Sequence, residues 1–309
     1  MKKTFYSNGK LLITGEYLVL DGAKAFALPT KFGQYLTLED GTNKTINWTS
    51  FDFDGKTWFQ ETISFSEIIE KQSTENALVK NTLIEILHES YLLNPEFITN
   101  SEGYQITTAL TFPRNWGLGT SSTLINNIAQ WLQIDAYQLL QNSFGGSGYD
   151  IACAQNDQPI IYQLLNKLPH VIPVPFHPEF TRNLFFVYLN KKQNSKTAIA
   201  SYYKKQGHLE KNIPEINRIT QLISTSTNKN TWSDQLEAHE IIMSHVLEMQ
   251  TVKESLFPDY NGVIKSLGAW GGDFVLAISN EDPTSYFKEK GYDTIIPYDE
   301  MILISKSEV

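Results

Sequence analysis

The stretch FPRNWGLGTSSTLINNIAQW, residues 112–131, constrains this chain more than any other. Gly117 and Gly119 bracket Leu118, and Thr120, Ser121 and Ser122 follow at once, so a strand end passes through a glycine turn into a helix. Glycines let a backbone approach an anion, and the helix beyond aims free N–H groups and its positive dipole end at it. The hydroxyls suit a helix cap, phosphate oxygens or Mg²⁺. A plain N-cap after a glycine turn accounts for the same residues. The lysine that ends the usual nucleotide-binding P-loop is missing, so a cation for phosphate has to come from elsewhere.

The charge balance narrows the ligand. Across 309 residues the formal net charge is −9, with 41% hydrophobic and 19% charged residues. That argues against nucleic acid or an anionic membrane as partner, since both reward a positive surface. An anionic small molecule is then held locally, by backbone N–H groups and a few cations. The lone Cys153 allows no internal disulfide and fits a reducing cytoplasm. In MKKTFYSNGKLLITGEYLVL, Asn8, Gly9, Lys10 and Glu16 interrupt the apolar run, a strand pattern and not that of a leader. A cytoplasmic protein is expected. A homodimer is compatible with the sequence and not required by it.

Periodicity supplies the elements. KLLITGEYLVL, GQYLTLED, KTINWTS and KTWFQETISF read as strands, with Asp54-Gly55 as a hairpin turn. Helices are expected over about 75–92, 120–133 and 135–142, with a fourth near Ser147, and then a strand at QPIIYQLL. The proline-rich KLPHVIPVPFHPEF reads as a crossing between domains of 1–175 and 176–309. Beyond it NLFFVYLN, GGDFVLAIS and MILIS read as strands, with helices over about 197–206, 211–225, 231–250 and 283–290. His245 is expected to pack within its helix. The class is α+β.

Three further motifs accompany the opening turn. In GGSGYDIACA, glycines lead into a helix whose first turn carries Asp150, either a partner of the helix dipole or a carboxylate held near a phosphate. In KSLGAWGGDFVLA, Gly268, Gly271 and Gly272 precede a buried strand, as a loop shaped around a ligand or as a bulged strand start. In NGKLLITGEYLVL, Lys10 and Glu16 interrupt apolar strands, and an edge lysine is ordinarily just solvated.

Taken together and in this order, the four motifs resemble those of the GHMP kinases, over residues 7 to 279. PRNWGLGTSST matches the family's Pro and Gly-Leu-Gly-Ser-Ser-Ala-Ala segment, with Thr120 for the first serine and Ser122 and Thr123 for two alanines. GSGYDIACA and Asp273 look most like the mevalonate and phosphomevalonate kinase branch. The resemblance implies a two-domain fold, an N-terminal domain like ribosomal protein S5 domain 2 and a ferredoxin-like C-terminal one. It also implies ATP and Mg²⁺ as cofactors and phosphoryl transfer to mevalonate or phosphomevalonate. Asp150 becomes base or orienter, and Lys10 the cation beside it. Gly117, Leu118, Gly119, Thr120, Ser121 and Ser122 cradle phosphates, with Ser121 on the metal, and Gly268, Gly271 and Gly272 floor the cleft. Substrate falls to Glu16, Ser147, Lys196, Thr197 and Lys265.

Two departures stand out. Leu139 occupies the position eleven residues before the catalytic Asp where mevalonate kinases carry a Mg²⁺-binding Glu, and Trp270 replaces a small residue in the last glycine motif. A kinase for homoserine or a sugar, or a non-catalytic nucleotide-binding relative, would carry the same motifs. Lys191, Lys192 and Lys196, just before Ser195–Thr197, are either anion-holding cations or solvated surface lysines.

Overall fold

The computed structural model describes residues 2–192, 202–203 and 209–304. Eleven strands are described: β1 Lys3–Thr14, β2 Ala25–Asp40, β3 Thr45–Phe51, β4 Thr57–Ser64, β5 Gly103–Leu110, β6 Ile160–Leu165, β7 Leu168–Pro173, β8 Leu184–Tyr188, β9 Val263–Leu267, β10 Phe274–Ile278 and β11 Ile295–Pro297. Seven make one sheet in the order β4-β3-β5-β2-β6-β7, with β1 paired to β2, and four make a second in the order β11-β8-β10-β9. The expected α+β class holds. Among the described residues no helix is long and apolar enough to cross a membrane.

The chain divides into two compact units that interleave in sequence. The first comprises Met1–Gly9, Phe32–Arg114 and Gly119–Gln155. Its β3–β4 hairpin turns at Asp54-Gly55 as expected, with Gly55 at φ +79° and its N–H donating to Asp52 O. β3 then pairs in parallel with β5, which continues antiparallel onto β2. The helices of this unit are α1 Phe65–Ile69, α2 Leu78–Leu93, α3 Glu96–Thr99, α4 Thr120–Leu132, α5 Ala136–Ser143 and α6 Tyr149–Gln155. Ser64 and Glu67 cap α1 reciprocally, and Asp135 caps α5. Ile125, Ile128, Ala129 and Leu132 form one stripe of α4 and bury against Leu36, Trp48, Ile106 and Leu139 in a common core.

The second unit comprises Lys10–Lys31, Asn115–Leu118 and Asn156–Val309. Its four-stranded sheet is antiparallel throughout. Its helices are α7 Leu209–Thr225, α8 Lys229–Leu247, α9 Val252–Leu256, α10 Thr284–Glu289 and α11 Tyr298–Met301. Val187, Val275 and Ala277 of the sheet share a core with Val252, Phe257 and Phe287.

Three expectations are corrected here. The proline-rich segment forms β7, antiparallel to β6 from Leu168↔Leu165 to Pro173↔Ile160. Its prolines are tolerated because β7 is an edge strand, with one side free of ladder bonds. GEYLVL leaves the strand after Thr14 and becomes a short 3₁₀ turn, Leu18–Asp21, closed by Gly22 at φ +88°. MILIS divides between the end of α11 and a single bridge, Thr30↔Ile302, because Pro297 and the acidic Asp299 and Glu300 start a helix there. The helix expected over 197–206 lies mostly outside the described residues.

Candidate active site

The glycine turn takes its shape from contacts within the second unit. The Lys10 backbone N–H donates to Leu118 O at 3.0 Å, and its Nζ donates to Gly117 O at 2.9 Å. Beside Gly117 lies Asp273, itself at φ +54°, its N–H donating to Lys191 O at 2.7 Å and its carbonyl accepting from Leu189 at 2.8 Å. Gly117 has φ +71°, and a Cβ there would overlap the Asp273 carboxyl group, with Oδ1 only 2.7 Å away. Residues from three of the sequence motifs therefore meet around one peptide, with Leu118 fully buried beneath it. Gly117→Ala should consequently displace either the turn or Asp273. We expect a stability loss of about 1–3 kcal/mol, read as a shifted denaturant midpoint, because both backbone conformation and space are denied.

In the first unit Gly119, at φ +98°, starts α4 without a side-chain cap. Its carbonyl instead accepts the Ser122 hydroxyl at 2.9 Å and the Thr123 hydroxyl at 3.0 Å. Ser122 is buried and its hydroxyl is turned onto backbone, which corrects its expected contact with cofactor through the side chain. Thr120 is half-buried and Ser121 exposed, in the turn where helix N–H groups lack intrahelical partners. Asp150 sits in the first turn of α6, half-buried, its Oδ1 accepting the Ile151 N–H at 3.2 Å. The loop before it uses Gly145, Gly146 and Gly148 at φ +69°, +104° and +88°, conformations that L side chains resist. Ser147 is 7% exposed. Leu139 is wholly buried in the core and offers a metal nothing.

Glu16 and Lys265 do not stand ready for a substrate as expected. Lys265 is fully enclosed and Glu16 is 2% exposed. Lys265 Nζ lies 2.5 Å from Glu16 Oε1 and 3.1 Å from Glu240 Oε1, while Ser266 donates to Glu240 Oε2 at 3.1 Å. His239 Nε2 accepts the Gly15 N–H at 3.0 Å, which assigns the ring proton to Nδ1, and lies 3.2 Å from Glu16 Oε2. Two carboxylates share one ammonium, so the fully ionised cluster carries one negative charge too many for a dry interior. Burial accordingly pushes Glu16 up to about 7 and raises Glu240 as well, with Lys265 opposing both. Burial alone would depress Lys265, and the two carboxylates more than offset it, leaving it raised. Burial, then Lys265, holds His239 well below its usual range, so it is neutral. The cluster is structural, and it lies where the chain leaves β1.

The third glycine loop joins β9 to β10. Gly268 and Gly271 have φ +73° and +75°, and Gly272 donates to Ala269 O at 3.3 Å. Trp270 is 6% exposed, and its indole donates to Gln250 O at 3.0 Å, so it fills the protein side of the loop. Lys196 and Thr197 lie outside the described residues. His245, expected to pack, is exposed in the last turn of α8. Sequence alone does not mark Asp273, His239 and Glu240 as site residues. A signal for one of them existed: Glu240 falls on the buried stripe of Leu236, Met243 and Leu247, where a carboxylate needs a partner.

No family model matches this chain, and no curated protein does. Solved structures do. Mevalonate kinase from Methanococcus jannaschii is 17% identical, with 99% of each chain covered and a TM-score of 0.71. Phosphomevalonate kinase from Streptococcus pneumoniae, in complex with phosphomevalonate and AMPPNP, is 15% identical, with 98% of each chain covered and a TM-score of 0.67. Galactokinase from Lactococcus lactis, complexed with galactose, is 13% identical, covering 94% of this chain and 88% of that one at a TM-score of 0.64. At such identities the likeness concerns the fold, and the fold is that of the two-domain GHMP kinases.

Proposed function

We propose that this chain is an ATP-dependent kinase of the GHMP family that phosphorylates mevalonate or phosphomevalonate. One observation carries the reading: Lys10 reaches across 107 residues to Gly117 O, and the Asp273 carboxyl group packs against the same glycine. Segments with no local reason to meet converge on a glycine turn that opens a helix, as a phosphate cradle requires. The shared fold supports the same reading.

Phosphoryl transfer asks the protein mainly for alignment and for dipoles or cations where charge spreads. The N–H groups from Gly117 to Ser121 receive the phosphates, and Gly268, Gly271 and Gly272 leave room for them. Lys10 supplies the cation that the turn itself lacks. Asp150 orients the acceptor hydroxyl and takes its proton late, as a loose transition state allows even a weak base. Mg²⁺ neutralises charge on the transferring phosphates when bound. Among the described residues no group of three or more His, Cys, Asp or Glu suits a metal, so the exposed Ser121 hydroxyl and the phosphates themselves would hold it.

The test is ADP release from MgATP with mevalonate, phosphomevalonate, homoserine and galactose in turn. We expect the highest kcat/KM with one of the first two. Preference for homoserine or galactose would reassign the acceptor, and release with none would sink the kinase reading.

A further inference from the structure

Tyr17 adopts φ 59° and ψ −51°, and the Leu18 N–H donates to Glu16 O at 2.6 Å across it. This is the three-residue turn with a left-handed central residue, a rare and strained conformation that survives only where its surroundings over-determine it. The surroundings do so here. On one side Gly15 is bonded to His239 and to Val19, and Glu16 is locked onto Lys265. On the other, the Tyr17 ring lies 5.5 Å from Tyr202, whose hydroxyl donates to Asp21 at 2.6 Å. The strained backbone delivers the phenol to the third glycine loop, where the Tyr17 hydroxyl accepts the Trp270 N–H at 2.9 Å. Both residues are nearly enclosed, so no water replaces that acceptor freely.

We infer that Tyr17 is a positioning residue: its γ-turn, anchored by the buried Glu16–Lys265 pair, holds the Trp270 amide and thereby sets the Gly268–Gly272 loop for nucleotide. The indole bond to Gln250 and the backbone bond from Asp273 to Lys191 fix the same loop at two other points. The buried charges therefore act on the site through one phenol. The nucleotide half of this inference rests on the function proposed above.

Tyr17→Phe isolates the hydroxyl, because it keeps the ring and the turn. Amide hydrogen exchange on the full chain should show residues 268–272 opening about tenfold faster, the effect of one lost buried hydrogen bond, with strand β10 unchanged. The KM for ATP should rise about tenfold while kcat stays within about twofold, since the loop receives phosphate and not the acceptor. Unchanged exchange at 268–272, equal acceleration of β10, or a faster-exchanging loop with an unaltered KM for ATP would each overturn the inference. A wild-type protein that binds no MgATP would overturn the kinase reading instead, and the exchange comparison would still decide whether Tyr17 holds the loop.

Discussion

Asp150→Asn is expected to lower kcat by on the order of 10²–10⁴-fold, the usual worth of a general base, while MgATP affinity changes little. The substitution keeps Oδ1, which accepts the Ile151 N–H, so the first turn of α6 and its glycine loop are preserved. What it removes is the negative charge that orients and deprotonates an alcohol. Single-turnover kinetics with ATP binding measured separately distinguishes that loss from a damaged nucleotide site. Retained kcat would remove Asp150 from the mechanism.

Lys265→Met carries the largest expected effect on stability. Methionine fits the space but leaves Glu16 and Glu240 buried without their cation, a loss of about 3–5 kcal/mol and a fall in Tm of roughly 10 °C. The pH dependence of unfolding identifies the cluster as the cause. Glu16 titrates near 7 in the folded protein against 4.5 for the free side chain. The folded state keeps a proton that the unfolded state releases between those values. The stability Glu16 contributes is therefore full below 4.5, declines as pH rises, and is gone above about 7. His239 works the other way: held neutral in the fold, it contributes above 6.5 and its contribution is lost as pH falls below that. Lys265 titrates in the alkaline range, far from this window. Between pH 6.5 and 7.5 wild-type stability should thus fall with rising pH, and Glu16→Gln should flatten that slope in denaturant titrations. A flat wild-type profile would contradict the assignment.

Much of the architecture was readable where local chemistry and tertiary demand agree. The β3–β4 hairpin follows from Asp54-Gly55 between alternating strands, and α4 follows from a glycine turn before an apolar stripe. The readings failed where position in the sheet overrides propensity. The prolines of β7 are acceptable only because that strand lies at an edge, and a sequence does not announce its edges. The site divides in the same way. Glycine and hydroxyl residues mark the turns directly, and their resemblance to a known motif order brings in Lys10 as a cation beside Asp150, whereas its bond to Gly117 O appears only in the folded chain. Glu16 stands out in the sequence as a charge in an apolar strand and Lys265 only through the family resemblance, and the fold turns the two toward each other in the interior. Their true partners lie 249 residues apart and on a helix between, a pairing that only the folded chain displays. The strained turn at Tyr17 leaves no trace in residue type, since tyrosine has no preference for that conformation.

The most direct measurement follows the γ-phosphate itself. Purified protein is supplied with MgATP labelled on that group, together with mevalonate or phosphomevalonate, and the products are separated. The account predicts label on the acceptor in the wild type, appearing on the order of 10²–10⁴-fold more slowly in the Asp150→Asn variant. Label released only as inorganic phosphate, or left on ATP with both acceptors, would contradict it.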